Sequence, residues 1–380
     1  MTTSPLHTLI ADEIAQRGPI PFVDFMTRCL YHPQHGYYMH PRIRIGKEGD
    51  FFTSSSVHAL FGGLLARQLV EMDTLLGAGA FTLVEQGAGE GHLMRDVLDA
   101  VRRDAPAFYD RLQVRLVEVS PDNRRRQALQ LTEHSDRIDW CSFEELPLFT
   151  GCFLSNELVD AFPVHMVEMR DGVLSEVYVT ATDKGFGELF LPPSTLALAA
   201  HFDWLGVAPC EGNRAEINLA AVQWMRAVAT KLQRGFALTI DYGYPAVELY
   251  APHRRNGTLM CYHRHSAGED PYVRVGEQDL TAHVDFTALA QAGAEVGLDP
   301  ICLTEQYRFL MALGFVEELI RLEAQTVDPI QAQGLRMTLK HLIMPDEGMG
   351  TTFKVLVQGK GVGCPALLCQ RRMADLPLPI

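Results

Sequence analysis

The fold of this chain is decided by the stretch FTLVEQGAGEGHLM, residues Phe81 to Met94. An apolar run of strand type, 81–84, leads into Glu85, and three glycines follow at alternate positions. The next apolar residues repeat with the spacing of a helix: Leu93, Met94, Val97, Leu98 and Val101. A strand, a glycine turn and a helix in this order open a βαβ unit, so the stretch predicts an α/β fold.

The glycines at positions 87, 89 and 91 open the backbone to a ligand, because no Cβ blocks its approach and positive φ angles are allowed. Dinucleotide sites have the different spacing G-x-G-x-x-G and direct a helix N-terminus at a pyrophosphate. Here Glu85 precedes the glycines, and its carboxylate would repel a pyrophosphate but suit a cationic amino-acid ligand. S-adenosylmethionine (SAM), which carries an ammonium and a sulfonium, fits this pattern.

A second carboxylate supports SAM as the cofactor. Glu118 follows the apolar strand predicted over 114–117, where it could bind both ribose hydroxyls. Further candidate cofactor contacts are Thr53 and Ser54, in a hydroxyl-rich loop, Trp140, in a short predicted strand, and Asn156, after a strand predicted over 151–155. The alternatives are a glycine-rich turn flanked by surface acids, a nicotinamide cofactor, and a loop that only caps the helix predicted from 57 to 75.

Composition and charge limit the possible functions. The chain has 380 residues, of which 47% are hydrophobic and 21% charged, as in an ordinary globular protein of one large or two smaller domains. A net charge of −14 argues against nucleic-acid binding. The cysteines and histidines lack the spacing of a zinc site, and no apolar run is long enough to span a membrane. We therefore expect a cytoplasmic protein with no metal, nucleic-acid or membrane partner.

The pattern of elements predicts four segments. Strands and helices alternate over 81–165, which indicates a parallel sheet with helices on its faces. Before it, residues 1–80 form a helical lid region; after it, 166–215 form an inserted lobe with a hairpin. Residues 216–380 supply the second half of the core, and within them 251–286 form a long loop expected on the substrate side.

Polar residues lie where two predicted strands end. Asn156, Glu157 and Asp160 follow a strand over 151–155, and Asp241 with Tyr242 follows a strand over 235–240. Ligands of open α/β sheets bind at such ends, although Asn156 and Glu157 could instead cap a helix. Further substrate-side candidates, all in the long loop, are Arg255, Tyr262, His263 and His283.

Seven motifs occur in order along the chain: GDFxTS (49–54), VExGxGxGxLM (84–94), VExSP (117–121), NExxDAxP (156–163), DYG (241–243), GTL (257–259) and DxTxHV (279–284). In this order they resemble the MidA family of SAM-dependent methyltransferases, whose mitochondrial member methylates an arginine of a respiratory complex I subunit. The chain departs from the family at Ser55-Ser56, where Pro-Glu is usual, and at Ala88, where proline is usual. The missing glutamate concerns the identity of the substrate more than the binding of SAM, because the cofactor residues are intact.

The resemblance implies a class I, Rossmann-like fold with a seven-stranded, mostly parallel sheet. It also implies that SAM binds the carboxylates and glycines named above, and that the partner is a protein substrate, such as a respiratory complex subunit. Glu157 and Asp160 would hold the arginine guanidinium, and His283 or Asp241 would assist proton loss. The alternatives are a small-molecule carboxylate or hydroxyl acceptor and a SAM-binding assembly factor without turnover. The oligomeric state, including a homodimer, is left open.

Overall fold

The computed structural model describes residues 4–40, 58–326, 328–344 and 349–371. The predicted cofactor contacts Thr53 and Ser54 therefore lie outside the described residues. Within the described ranges, no helix is both long and apolar enough to span a membrane.

The described α-helices are Pro5–Arg17, Phe22–Tyr31, Leu60–Leu75, His92–Asp104, Pro106–Tyr109, Pro121–Gln130, Ala197–Leu205, Leu219–Lys231, Ala246–Leu249, Phe286–Ala294, Gln306–Ala312, Phe315–Gln325 and Pro329–Lys340. The described strands are β1 (Ile20–Pro21), β2 (Phe81–Gln86), β3 (Leu112–Val117), β4 (Ile138–Cys141), β5 (Phe149–Asn156), β6 (His165–Arg170), β7 (Val173–Thr182), β8 (Gly185–Leu191), β9 (Arg214–Ile217), β10 (Leu232–Tyr244), β11 (Met260–His263), β12 (Ser266–Gly268), β13 (Asp279–Thr281), β14 (Val284–Asp285), β15 (Asp299–Glu305) and β16 (Phe353–Lys360).

The described residues form two compact units, which we call the core unit and the second unit. The described parts of the core unit fall in 58–158, 225–242 and 290–371, and those of the second unit in 4–40, 159–224 and 243–289.

The core unit contains a large sheet with the strand order β15-β16-β10-β5-β2-β3-β4. Neighbours from β10 to β4 are parallel, whereas β16 is antiparallel to both β10 and β15. The central strand β5 is buried along almost its whole length, as expected for a parallel strand covered on both faces. These features confirm the predicted α/β fold with a mostly parallel sheet.

The helix after the glycine turn packs into the core of this unit. In His92–Asp104 the predicted apolar stripe is buried, with Leu93, Met94, Val97, Leu98 and Val101 all at most 3% exposed. They pack in the same cluster as β-strand residues of the sheet. Truncating one such fully buried leucine to alanine typically costs about 2–5 kcal/mol, so this packing holds the glycine turn in place.

The second unit contains smaller antiparallel sheets. Strands β1-β7-β6-β9, with β8 on β7, form one of them, and β12-β11-β13 form another. The predicted hairpin is confirmed as β6 and β7, which are joined at Asp171 and Gly172 with φ angles of 52° and 74°. Asp-Gly suits such a turn because both positions need positive φ.

Three features differ from the predictions. Strand β10 continues to Tyr244, so Asp241 and Tyr242 lie inside a strand and do not follow it. The segment 251–286, predicted as a long loop, contains β11 to β14, which are too short to give a periodic signal. The unit boundaries also differ from the predicted segments, since the N-terminal helices pack with strands of the second unit whereas Leu60–Leu75 packs in the core unit.

Candidate functional site

The glycine turn follows β2 in the core unit. Gly87, Gly89 and Gly91 all have positive φ angles, 76°, 54° and 88°, which disfavour any residue with a Cβ. A Cβ on Gly87 would lie 2.8 Å from Cδ1 of Leu158. The Gly87 N–H donates to the carbonyl of Val117, 3.1 Å away, which ties the turn to the end of β3. The turn is therefore a fixed stretch of backbone that requires glycine.

Glu85 lies at the end of β2, below this turn, and is 2% exposed. Its Oε2 has no hydrogen-bond partner among the residues that the structure describes. The pKa of the Glu85 carboxyl is raised to about 8, mainly by burial and to a lesser extent by the charge of Glu118. A carboxyl in such an environment is ready to pair with a cation that the described protein does not supply.

Glu118 follows β3 and is 8% exposed. Its carboxylate accepts hydrogen bonds from the Ser120 N–H (2.8 Å), the Asn123 side-chain amide (3.3 Å) and the Gln127 side-chain amide (3.1 Å). Burial nevertheless raises the pKa of this carboxyl. These donors fix the orientation of the Glu118 carboxylate. A carboxylate that binds two ribose hydroxyls must be held in such a fixed orientation.

Gln127 was missed by the sequence analysis, although it connects three parts of the site. This fully buried side chain donates through Nε2 to Glu118 and to the carbonyl of Gly89, 2.8 Å away. Its Oε1 accepts from Nε1 of Trp140 at 2.9 Å. Gln127 is therefore a positioning residue that holds the glycine turn, the carboxylate and Trp140 in one arrangement.

The end of β5 supplies the next polar groups. The Ser155 hydroxyl and Oδ1 of Asn156 are buried without a hydrogen-bond partner in the described ranges. The Asn156 amide donates to Oε1 of Glu157 at 3.1 Å. Glu157 has a φ of 51°, which is unusual for a residue other than glycine, asparagine or aspartate. Such backbone strain is typical of functional sites, which supports Glu157 as a candidate functional residue.

Asp241 secures the turn that carries Glu157. It is fully buried, and its carboxylate accepts from the N–H groups of Leu158 (3.2 Å) and Tyr242 (2.9 Å). The Tyr242 ring packs edge-on against Phe353 with 5.1 Å between centroids. Asp241 thus holds the backbone after Glu157, and Tyr242 packs against Phe353; the roles predicted for them from the sequence, proton transfer and substrate binding, stay predictions.

The core-unit residues fit SAM. The buried Oε2 of Glu85 has no hydrogen-bond partner among the described residues, the glycine turn has backbone angles that only glycine adopts readily, and donors hold the Glu118 carboxylate in one orientation. Ser155 and Asn156 offer further buried polar atoms without partners in the described chain. Glu85, the glycine turn, Glu118 and Asn156 would hold the cofactor, with Trp140 positioned beside them by Gln127.

SAM binding should strengthen as the pH rises towards about 8. The cofactor-free Glu85 carboxyl, with its pKa of about 8, is mostly protonated at neutral pH, and a cationic ligand favours the carboxylate. Binding below this pH therefore releases a proton, and the affinity should rise by up to about tenfold per pH unit. Calorimetry in buffers of different ionisation enthalpy measures this proton release. The Glu85→Gln variant is the control, because in it only the titration of the ligand itself remains. If the affinity of both proteins for SAM depended on pH in the same way, the proposed linkage to Glu85 would be contradicted.

The remaining predicted site residues lie in the second unit. Asp160 is 4% exposed, and its backbone carbonyl accepts from the N–H of Ala282 at 3.0 Å. The backbone N–H of His283 donates to Oγ1 of Thr258 at 3.0 Å, and its ring lies 5.4 Å from that of Tyr244. The hydrogen bond to Ala282 thus brings the Asp160 turn next to the segment that carries His283.

The other three substrate-side candidates are placed on or near β11. Tyr262 is half-buried and lies opposite Asp279 of β13. His263 lies with Nδ1 3.0 Å from the carbonyl of Glu277, and Arg255 is exposed. Among the described residues, no group of three or more His, Cys, Asp or Glu side chains is placed to hold a metal ion.

Comparisons with known proteins agree with this geometry. A family model described as "Putative S-adenosyl-L-methionine-dependent methyltransferase" matches residues 64–304. The chain is similar to the mitochondrial protein arginine methyltransferase NDUFAF7 homolog of Drosophila melanogaster, with 30% identity over 92% of this chain and 84% of that protein. The human protein arginine methyltransferase NDUFAF7 is 28% identical over 92% of this chain and 82% of its own length.

Solved structures extend the comparison to the fold. A COG1565 superfamily member from Burkholderia thailandensis, bound to S-adenosylhomocysteine, matches with a TM-score of 0.86 and 34% identity over 97% of this chain and 94% of that chain. A second crystal structure from the same organism gives a TM-score of 0.82 over 96% and 93% of the two chains. The chain therefore belongs to the MidA family of class I methyltransferases and is an enzyme that uses SAM as its cofactor.

Proposed function

We propose that this methyltransferase methylates an arginine side chain of a protein. The observation that carries the proposal is the similarity, over 92% of the chain, to relatives that are named protein arginine methyltransferases. The cofactor residues Glu85 and Glu118 are present and buried in the arrangement described above. A protein substrate also agrees with the acidic chain, because a net charge of −14 favours a cationic partner.

When bound, SAM supplies a methyl group on a positively charged sulfur, which is already a strong methyl donor. The protein's contribution is therefore mainly to position and orient the reactants. Glu85 and Glu118 would hold the donor, and Asp241 fixes the strained turn at Glu157. The guanidinium nitrogen that takes the methyl group, as the sulfur–methyl bond breaks and S-adenosylhomocysteine leaves, would give up a proton, and His283 is the candidate base for that proton. Glu157 is our candidate for a charge-assisted hydrogen bond to the guanidinium; Asp160, the other carboxylate that the sequence predicted for this role, belongs to the second unit.

Replacement of Glu157 by glutamine should lower kcat by about tenfold or more without a change in affinity for SAM. The substitution removes one charge-assisted hydrogen bond, worth about 1.5–3 kcal/mol, but keeps the size of the side chain. Kinetics with radiolabelled SAM and calorimetry with S-adenosylhomocysteine separate the two effects. Glu144→Gln, at an exposed acid in the same unit, is the matched control. Unchanged turnover in the Glu157 variant would remove this residue from the scheme.

Incubation of the purified enzyme with labelled SAM and a lysate that lacks its own copy of this protein tests the proposed function. We expect label in protein, released as methylated arginine after acid hydrolysis, and much less label with Glu85→Gln at the same, sub-saturating concentration of SAM. Label in small molecules alone would instead identify a small-molecule acceptor. Cofactor binding without any labelled product would identify a SAM-binding assembly factor.

We also propose the cytoplasmic location expected from the sequence. The curated relatives carry the word mitochondrial in their names, so the location of this chain needs its own experiment. Fractionation of cells that express the tagged protein would decide it: recovery in the soluble cytoplasmic fraction supports the proposal, and recovery in an organelle or membrane fraction contradicts it.

A further inference from the structure

The second unit carries a group of acidic and aromatic side chains around Asp160 and Tyr262. Three of its members are buried, with exposed fractions of 4% for Asp160, 2% for Asp279 and 2% for Thr281. The tyrosines around them are half-buried. We call this group the Asp–Tyr cluster: Tyr31, Tyr38, Asp160, Tyr262, Asp279 and Thr281.

The short strand β13 places two of these residues on one face. Side chains alternate along a strand, so Asp279 and Thr281 point to the same side of β13. In the antiparallel pair of β11 and β13, Tyr262 lies directly opposite Asp279. Residues opposite each other in such a pair share a face, with Cβ atoms about 4.5–5.5 Å apart. Tyr262 therefore stands beside the Asp279 carboxylate.

Two N-terminal tyrosines complete the aromatic part of the cluster. The Tyr38 hydroxyl donates to Oδ1 of Asp279 at 2.8 Å. The Tyr31 ring is stacked on the Tyr38 ring, with 5.6 Å between centroids and 26° between planes. A carboxylate is thus held by a phenol whose ring belongs to a stacked aromatic pair.

The turn Val159–Ala161 brings Asp160 to the same place. The Tyr31 hydroxyl donates to the carbonyl of Ala161 at 2.9 Å, and the N–H of Ala282, next to Thr281, donates to the carbonyl of Asp160 at 3.0 Å. After burial, the charges of both Asp160 and Asp279 raise the pKa of Tyr262. Both carboxylates therefore lie close enough to one phenol to act on it.

Thr281 gives an independent sign that the cluster takes a ligand. Its hydroxyl is buried and makes no hydrogen bond within the part of the chain that the structure describes. A buried hydroxyl without a partner costs about 1–3 kcal/mol, so an unpaired one requires an explanation. It lies on the face of β13 that carries the Asp279 carboxylate, and a bound donor or acceptor there would satisfy it.

We infer that the Asp–Tyr cluster binds the guanidinium group of an arginine side chain, the acceptor in the function proposed above, on which this inference rests. A guanidinium is a planar cation with five N–H donors, which match the carboxylates of Asp160 and Asp279 and the hydroxyl of Thr281. Its flat face stacks on aromatic rings such as that of Tyr262. A lysine ammonium has the charge but neither the plane nor the fork of donors.

Calorimetric titration of the full-length protein with N-acetylarginine amide, at millimolar concentration, tests this inference. The citrulline analogue is the matched probe, because it has nearly the same shape but no charge. We expect the arginine probe to bind at least about tenfold more tightly than the citrulline probe, the difference that one charge-assisted hydrogen bond provides. Asp279→Asn should weaken arginine binding by about tenfold. The affinity for S-adenosylhomocysteine should stay within about twofold, since Asp279 lies outside the core unit.

A second variant, Tyr262→Leu, keeps the inference testable if Asp279→Asn fails to fold. Tyr262→Leu changes a half-buried residue and removes the aromatic face, and it should weaken the arginine probe about threefold or more. Asp183→Asn, at an exposed turn of the same unit, is the control and should change nothing. Equal binding of both probes, no binding of the arginine probe to the wild-type protein, or full affinity in both cluster variants would overturn the inference. The calorimetric titration measures arginine binding without methyl transfer. If the labelled lysate contained no methylated arginine, that result would therefore overturn the proposed function but not the arginine site.

Discussion

Replacement of Glu85 by glutamine should weaken SAM binding by about tenfold to a hundredfold and, at the same time, stabilise the cofactor-free protein at pH 8. The first effect follows from the loss of a buried charge-assisted interaction, worth about 1.5–3 kcal/mol, with the cationic cofactor. The second effect follows from the burial of Glu85, which is 2% exposed and whose Oε2 has no hydrogen-bond partner among the described residues.

The sign of the stability effect follows from proton linkage. The pKa of Glu85 is about 8 in the folded protein, compared with an ordinary value of 4.5, so the folded state binds the proton more tightly than the unfolded state. The stability that this proton provides is fully present below about pH 4.5 and is lost as the pH rises to about 8. Glutamine has no such titration, so the variant should not share this loss.

Calorimetry with S-adenosylhomocysteine and chemical unfolding at pH 5 and pH 8 measure the two effects. Asp139→Asn, at an exposed carboxylate on β4 of the same sheet, is the matched control and should change neither the affinity nor the pH dependence of stability. If Glu85 served only the fold, Glu85→Gln would lower both the affinity for S-adenosylhomocysteine and the stability of the cofactor-free protein at pH 8. A decrease in both would contradict the assignment of Glu85 to the cofactor.

Replacement of Glu216 by alanine should lower the free energy of unfolding by about 2–4 kcal/mol and reduce turnover. This carboxylate, 6% exposed, accepts from the N–H of Thr258 (2.9 Å), the hydroxyl of Thr258 (2.9 Å) and the N–H of Leu259 (3.3 Å). Each buried donor left without a partner costs about 1–3 kcal/mol, and part of this cost is recovered if water enters.

The loss of turnover follows from the same contacts. The Thr258 hydroxyl that donates to Glu216 also accepts the N–H of His283 at 3.0 Å, so the carboxylate fixes the backbone of the candidate base. At Gly257 a Cβ would lie 2.1 Å from Oε1 of Glu216, which shows how closely the turn wraps the carboxylate. Urea unfolding and steady-state kinetics measure both effects. Glu216→Gln keeps one acceptor oxygen and should be intermediate, whereas an alanine variant with wild-type stability would exclude this role.

The sequence predicted the strand, the glycine turn and the helix that carry the candidate cofactor residues, because the signals for them are local. The spacing of Glu85 and the three glycines, between an apolar strand and a helical stripe, lies within a short stretch, and the strand and the helix form as predicted. Glu118 could be placed because its strand runs parallel to β2 as the neighbouring strand. Parallel neighbouring strands end at the same edge of a sheet, so the order of the strands in the sequence was enough to predict that the Glu85 and Glu118 carboxylates lie close together.

The parts that were missed depend on contacts between distant residues. Gln127 lies in Pro121–Gln130, a largely polar helix, and no local pattern distinguishes it from the glutamine at the end of that helix. Tyr38 and Asp279 are 241 positions apart and meet only through the fold of the second unit. The prediction that β10 ends before Asp241 was wrong because β16 pairs with it through Tyr242, and such pairing cannot be read from one strand.

A crystal structure of the protein with bound S-adenosylhomocysteine tests the central claim most directly. We expect both ribose hydroxyls within hydrogen-bond distance of the Glu118 carboxylate, and the amino-acid part of the ligand over the glycine turn, with its ammonium close to Glu85. Electron density for the ligand anywhere else, or a ribose that does not contact Glu118, would contradict the account.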